Sequence, residues 1–317
     1  MRNQQTGPLR RQFKVPPAVM VAIVILTACS SGSQGSASPP LNRNEILKTT
    51  SGQMTAVLPN ADLAVGTNQR FLVAIIGEDN RPITDATVNL DFFKVTGPGT
   101  AQLRSTATTT YREAPGLPDR GVYVTRSDFD EAGDWGVAVQ ITRPNAEPSE
   151  LRVSFQVKPK SETPAIGSVV PASRTLTGTN PAEIEKFSSA RPPDPALYQV
   201  SIADALGQRK PFAVLFATPG FCTSRTCGPS LDVLQALQQQ YGDRANFIHV
   251  EIYQNGQPPD VVPVVKEWGL PSEPWLFVVD ADGRVADKFE GSITVDEVGP
   301  AVAAVTNERS RGGEQRL

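Results

Sequence analysis

The first apolar run of the chain extends from Ala18 to Leu26 and is preceded by Arg2, Arg10, Arg11 and Lys14. It is about half the ~20 residues a helix needs to cross a hydrocarbon core, and Pro16-Pro17 stands at its entry, so residues 1–28 read as an export signal. Ser30 to Pro40 is rich in Ser, Gly, Ala and Pro, which suits a flexible tether over 29–58. From 59 to 158 the period is two. Phe71–Ile76, Ala86–Phe93, Gly121–Val124, Trp135–Ile141 and Leu151–Val157 are short β-branched and aromatic segments, punctuated by turns such as Asp79-Asn80-Arg81-Pro82 and Gly97-Pro98-Gly99. Regular strands without helices predict an all-β sandwich. Proline then becomes dense from 159 to 196, as in an interdomain linker that drapes over a second domain.

Beyond residue 197 strands alternate with helices. Phe212–Ala217 is a continuous apolar strand, and Leu231, Val233, Leu234 and Leu237 share a helix face. Strand Phe247–Ile252, a helix near Val261–Trp268, strands Trp275–Val279 and Val285–Phe289 around Asp282-Gly283, and a helix from Val295 to about Thr306 complete an α/β domain over 197–308. Residues 309–317 are expected to be a disordered tail.

Charge and cysteine count narrow the chemistry. Without the leader's four basic residues, 26 basic residues face 33 acidic ones, a net of −7 that argues against a nucleic-acid partner. Of three cysteines, Cys29 ends the leader, leaving Cys222 and Cys227 as an even pair expected to bond in an oxidising compartment. The carboxylates Asp128, Asp130, Glu131 and Asp134 alternate as Ca²⁺ ligands do, but their spacing is not that of an EF-hand loop, and a solvated acidic turn is expected. The single histidine, His249, lies in a core strand as a structural imidazole, so neither a metal nor another cofactor is expected.

Three groups of residues resemble known families. Leu26-Thr27-Ala28-Cys29 resembles the bacterial lipobox, which implies a lipid on Cys29 and an anchor at the extracytoplasmic face of a cell membrane. Gly121-Val122-Tyr123 followed by Ala132-Gly133-Asp134-Trp135 resembles the end of immunoglobulin-like domains of bacterial surface proteins, without their inter-sheet disulfide. The third group spans roughly 197–307: a cysteine pair between strand and helix, Cys227-Gly228-Pro229, and Glu273-Pro274 before Trp275-Leu276-Phe277. It resembles the thioredoxin-like fold, which implies a cis peptide at Pro274, with Glu273 offering backbone groups to an extended substrate.

The implied chemistry is thiol-disulfide exchange with exported thiol or disulfide proteins. A thiolate is the attacking species, and a helix N-terminus favours it. By its interval after the strand Cys222 is the preferred nucleophile and Cys227 the resolving thiol; by the Cys-Gly-Pro motif the first place falls to Cys227. Arg225 between them is a candidate to stabilise a thiolate, against the plainer expectation of a solvated side chain. Two features depart from the family. The pair is Cys-x4-Cys, so the segment must be partly loop, and Leu215 stands where thioredoxins keep a buried acid. The stretch Thr218-Pro219-Gly220-Phe221-Cys222 also resembles peroxiredoxins, with Phe221 as an inserted residue, so a thiol peroxidase is the alternative. A non-catalytic surface interaction module with a structural disulfide is the other.

Overall fold

The computed structural model describes residues 54–314, with side chains through residue 307; the leader, Cys29 and most of the expected tether lie outside the described residues. The described chain is mainly β-sheet with few helices.

In the first region, β1 (Met54–Val57), β2 (Gly66–Gly77), β6 (Gly121–Phe129) and β5 (Thr110–Glu113) form one antiparallel sheet in the order β1-β2-β6-β5. The facing sheet, in the order β4-β3-β7-β8, is built from β3 (Thr87–Gly97), β4 (Thr100–Thr108), β7 (Gly133–Thr142) and β8 (Ser149–Val157). Alternate residues of both sheets meet in one core. Phe71 and Phe92 cross it edge to face with centroids 4.9 Å apart, and Trp135 is wholly buried. Each such side chain contributes roughly 1.5–3 kcal/mol by leaving water. Tyr123 closes one end by donating its hydroxyl to the Ile83 carbonyl at 2.9 Å.

One expectation is corrected here. Residues 54–57, expected in the tether, form a strand on the edge of β2 because Ala56 turns into the core. The polar run Thr100–Thr108 is also a strand, at a sheet edge, where its exposed face requires few apolar residues.

In the second region β9 (Phe212–Ala217) lies between β10 (Asn246–Glu251), which is parallel to it, and β11 (Trp275–Val279), which is antiparallel. A hairpin through Asp282-Gly283 adds β12 (Val285–Glu290), giving the order β10-β9-β11-β12. Both faces are covered, which is why Phe212–Ala217 is buried at every position. One face packs on α3 (Cys227–Tyr241) and α5 (Val295–Glu314), and the other carries Trp268, Phe216 and Phe277. The short α1 (Pro181–Ile184), α2 (Ile202–Gly207) and α4 (Pro263–Glu267) complete the set. This is the strand and helix order of a thioredoxin-like domain. Helix α5 runs past the expected end near Thr306, so residues 309–314 are helical rather than a disordered tail.

The proline-dense segment 159–196 is hydrogen-bonded along the second sheet. Gly167 donates to Val285 O at 2.7 Å and Val285 to Ser168 O at 2.9 Å, which covers the free edge of β12 at its start. Charged side chains join the two regions. Arg126 of β6 makes a two-pronged pair with Asp287 at 2.8 and 2.9 Å, and the buried carboxylate of Asp62 accepts from Ser161, Thr163 and Lys288.

Candidate thiol site

Strand β9 ends at Ala217, and the chain loops through residues 218–226 before Cys227 opens α3 as its first residue. The loop reverses at Arg225, whose φ of 62° is left-handed, and the Arg225 N–H donates to Cys222 O at 3.3 Å. That reversal carries the Cys222 sulfur back to the helix N-terminus. There the Cys227 N–H donates to Cys222 Sγ at 3.3 Å, and Ser224 Oγ lies 3.2 Å from the same sulfur. Thr226 Oγ1, 2.8 Å from Ser224 Oγ, orients that hydroxyl.

The two cysteines are free thiols here and differ in surroundings. Cys222 is half-buried, and its pKa is pushed down to about 5, first by the Cys227 thiol, against the cost of burial, and then by Ser224 and the N–H groups of Cys227 and Thr226. Cys227 is fully buried, and its thiol is pushed up by the Cys222 sulfur that it donates to and by burial. The helix N-terminus thus serves the cysteine outside the helix, because its free N–H groups point at Cys222 Sγ. Arg225 is exposed and is not among the groups that lower Cys222, in line with the plainer expectation of a solvated side chain.

Glu273 and Pro274 precede β11 and are joined by a cis peptide bond. Trp275 pairs with Phe216 of β9, so Pro274 and Glu273 lie level with the start of the cysteine loop. Burial and then the Cys222 charge push the Glu273 carboxyl up. Cys222, Cys227, Glu273 and Pro274 are therefore gathered at one end of the sheet.

Residues that sequence reasoning missed support the loop from behind. Glu251, at the end of β10, accepts from Ser189 N at 2.7 Å and Ser189 Oγ at 2.6 Å, and Ser189 Oγ in turn accepts the Gly220 N–H at 3.0 Å. A Cβ on Gly220 would meet Ser189 Cβ at 2.9 Å, so only glycine permits this approach. The one sequence signal was an acid in an otherwise apolar strand. Leu215 is fully buried in the core, and no acid takes its place in β9. His249 is a structural imidazole: Nδ1 accepts from Tyr198 OH at 2.6 Å and Nε2 donates to Ala217 O at 3.1 Å. In the acidic turn Arg104 pairs with Asp130 and Glu131, while Asp128 accepts from Asn68 N.

A model of the YtkA-like family matches residues 47–140. That match lies largely within the first region and spans under a third of the chain. No curated protein matches. Among solved structures, the chain is similar to a thioredoxin-family thiol:disulfide interchange protein from Chlorobium tepidum TLS, at 13% identity and a TM-score of 0.30, covering 45% of this chain and 99% of that one. It is also similar to a copper-bound variant of FetP from uropathogenic Escherichia coli strain F11, at 15% identity and a TM-score of 0.24, covering 37% of this chain and 93% of that one. A third likeness is to CopC from Methylosinus trichosporium OB3b, at 14% identity and a TM-score of 0.21, covering 33% of this chain and 94% of that one. These likenesses are distant. Among the described residues, no helix is long and apolar enough to cross a membrane.

Proposed function

We propose that the protein is an exported thiol-disulfide oxidoreductase, anchored by a lipid on Cys29 and acting through Cys222 and Cys227 on exported thiol or disulfide proteins. The observation that carries this reading is the Cys222 sulfur at the N-terminus of α3, holding the Cys227 N–H at 3.3 Å and the Ser224 hydroxyl at 3.2 Å. A half-buried thiol lowered to about 5 is a thiolate at neutral pH and the better attacking group, while the buried, raised Cys227 is the resolving one. In the reductive direction the Cys222 thiolate attacks a partner disulfide, forms a mixed disulfide and releases one partner thiolate, which takes up a proton. Cys227 then gives up its proton and attacks Cys222. The Cys222–Cys227 disulfide forms and the second partner thiolate leaves. Run backwards, the same steps oxidise a dithiol.

The first region is read as an immunoglobulin-like sandwich that holds this site away from the membrane; its paired antiparallel sheets support that reading. The peroxidase alternative is disfavoured by Thr218, which is fully buried with its hydroxyl 3.5 Å from Ser189 Oγ rather than placed for a peroxide. The test is trapping. A Cys227→Ala protein mixed with a disulfide-bonded substrate protein is expected to keep it as a mixed disulfide, whereas Cys222→Ala keeps none. Equal trapping by both, or by neither, overturns the assignment.

A further inference from the structure

One carboxylate joins the first region to the turn that carries cis-Pro274. Glu290 is the last residue of β12, is 6% exposed and pairs in the ladder with Trp275, the residue after Pro274. Its Oε1 accepts two hydrogen bonds from distant parts of the chain: the Ala61 N–H at 2.8 Å and the Ser272 hydroxyl at 3.0 Å. Ser272 Oγ in turn accepts the Trp275 indole N–H at 3.0 Å. Ser272 and Trp275 thus close the turn Ser272-Glu273-Pro274-Trp275 from its two ends, and Glu290 fastens that turn to the first region.

Both ends of this tie are anchored. Asn60, the residue before Ala61, accepts the Leu72 N–H at 2.8 Å and donates to Arg70 O at 3.2 Å, so this stretch is held along β2. Arg70 itself donates to the carbonyls of Glu290 and Ser292, which flank Gly291, and the Gly291 N–H donates to Pro274 O at 2.9 Å. Lys288, two residues before Glu290, places its Nζ 5.7 Å from the centre of the Trp275 ring while donating to Ser161 and Thr163.

Burial makes these contacts obligatory. A carboxylate cut off from water keeps its hydrogen-bond donors, because leaving it unpaired is costly. Ser272 and Ala61 therefore cannot drift apart without stranding Glu290, and the turn between Ser272 and Trp275 is held to one position. Contacts at a reacting site tolerate only about 0.5 Å of displacement.

We propose that Glu290 is a positioning residue for disulfide exchange with polypeptides: through Ser272 and Ala61 it makes the first region a fixed support for the turn carrying Glu273 and cis-Pro274. The all-β region then takes part in holding the substrate and is more than a spacer. This rests on the oxidoreductase reading, in which Glu273 offers its backbone to an extended substrate. Glu290 acts through Ser272 and not on either sulfur, so its influence falls on substrates long enough to lie along the turn.

The test measures kcat and KM on the full chain for two disulfides, insulin and the much smaller hydroxyethyl disulfide, with dithiothreitol as reductant. Ser272→Ala cuts the tie on the side of the turn, and Asn60→Ala loosens it on the side of β2. Each is expected to raise KM for insulin about tenfold with kcat unchanged, while the hydroxyethyl disulfide rate and the Cys222 alkylation midpoint stay as in the wild type. The double variant is expected to be no worse than either single one, because both act through Glu290. Glu290→Gln keeps an oxygen acceptor and is expected to retain the wild-type KM. Should Ser272→Ala fail to fold, Asn60→Ala carries the same prediction. An unchanged insulin KM, or an equal loss with both disulfides, overturns the positioning role and leaves the oxidoreductase reading standing. Failure of the wild type to exchange with either disulfide overturns the oxidoreductase reading and the positioning role with it.

Discussion

Arg70 of β2 forks its guanidinium onto Glu297 of α5, with Nε 2.6 Å from Oε1 and an Nη 2.9 Å from Oε2, and so ties the all-β region to the helix backing the thiol domain. Both side chains are under 10% exposed, and Arg70 also donates to the carbonyls of Glu290 and Ser292. Removing one partner of such a pair strands a buried charge, so Arg70→Met is expected to cost about 3–5 kcal/mol. Adding Glu297→Leu is expected to return part of that loss. Denaturant midpoints of the single and double variants check both statements.

The same junction responds to acid. Burial pushes the Asp62 carboxyl up, but the Ser161 hydroxyl, the Glu162 and Thr163 N–H groups and Lys288 more than offset it, leaving the carboxyl well below its usual range. A depressed carboxylate stabilises the fold above its unfolded pKa near 3.9 and loses that contribution as pH falls through the folded value. Asp62→Asn is therefore expected to lower stability at neutral pH and to flatten the acid limb of a stability-pH curve below about pH 4. An acid limb unchanged by the substitution would speak against this assignment.

A titration distinguishes the two cysteines. Alkylation of Cys222 is expected to follow a midpoint near 5, so its rate is nearly flat between pH 6 and 8. Cys227→Ala removes the largest lowering influence and is expected to raise the midpoint; Ser224→Ala raises it by less. The reduced fold is correspondingly stabilised by this thiolate above the unfolded thiol pKa near 8.5, and loses that contribution as pH falls toward 5. A midpoint near 8.5 in the wild type contradicts the hydrogen-bonded thiolate.

Gly220→Ala tests the support behind the loop. The added Cβ would lie 2.9 Å from Ser189 Cβ, so Ser189 must move and release Gly220 N or Glu251. A cost of about 1–3 kcal/mol is expected, with slower disulfide exchange and unchanged secondary structure by circular dichroism.

Much of this was legible in the sequence wherever the signal is local. Phe212–Ala217 and Trp275–Val279 are apolar runs whose limits coincide with β9 and β11, because both faces of the sheet are covered. The cysteine pair, Pro229 and Glu273-Pro274 marked the ends of elements. What escaped depends on residues far apart in sequence: Arg70 with Glu297, Arg126 with Asp287, and Glu251 with Ser189 are charges and hydroxyls that look solvated until the chain folds. Strand β4 and helices α1 and α2 escaped for another reason. An exposed edge strand shows little hydrophobic alternation, and helices of four or six residues are too short to show a period.

The most direct test of the central claim is the reduction potential of the Cys222–Cys227 couple, measured in a Cys29→Ser protein by equilibration with glutathione and dithiothreitol buffers. A thiolate stabilised at a helix N-terminus favours the reduced pair, which predicts a value between about −120 and −270 mV, the range of exchanging dithiols. A value well below about −300 mV would make the disulfide a structural staple and contradict the oxidoreductase assignment.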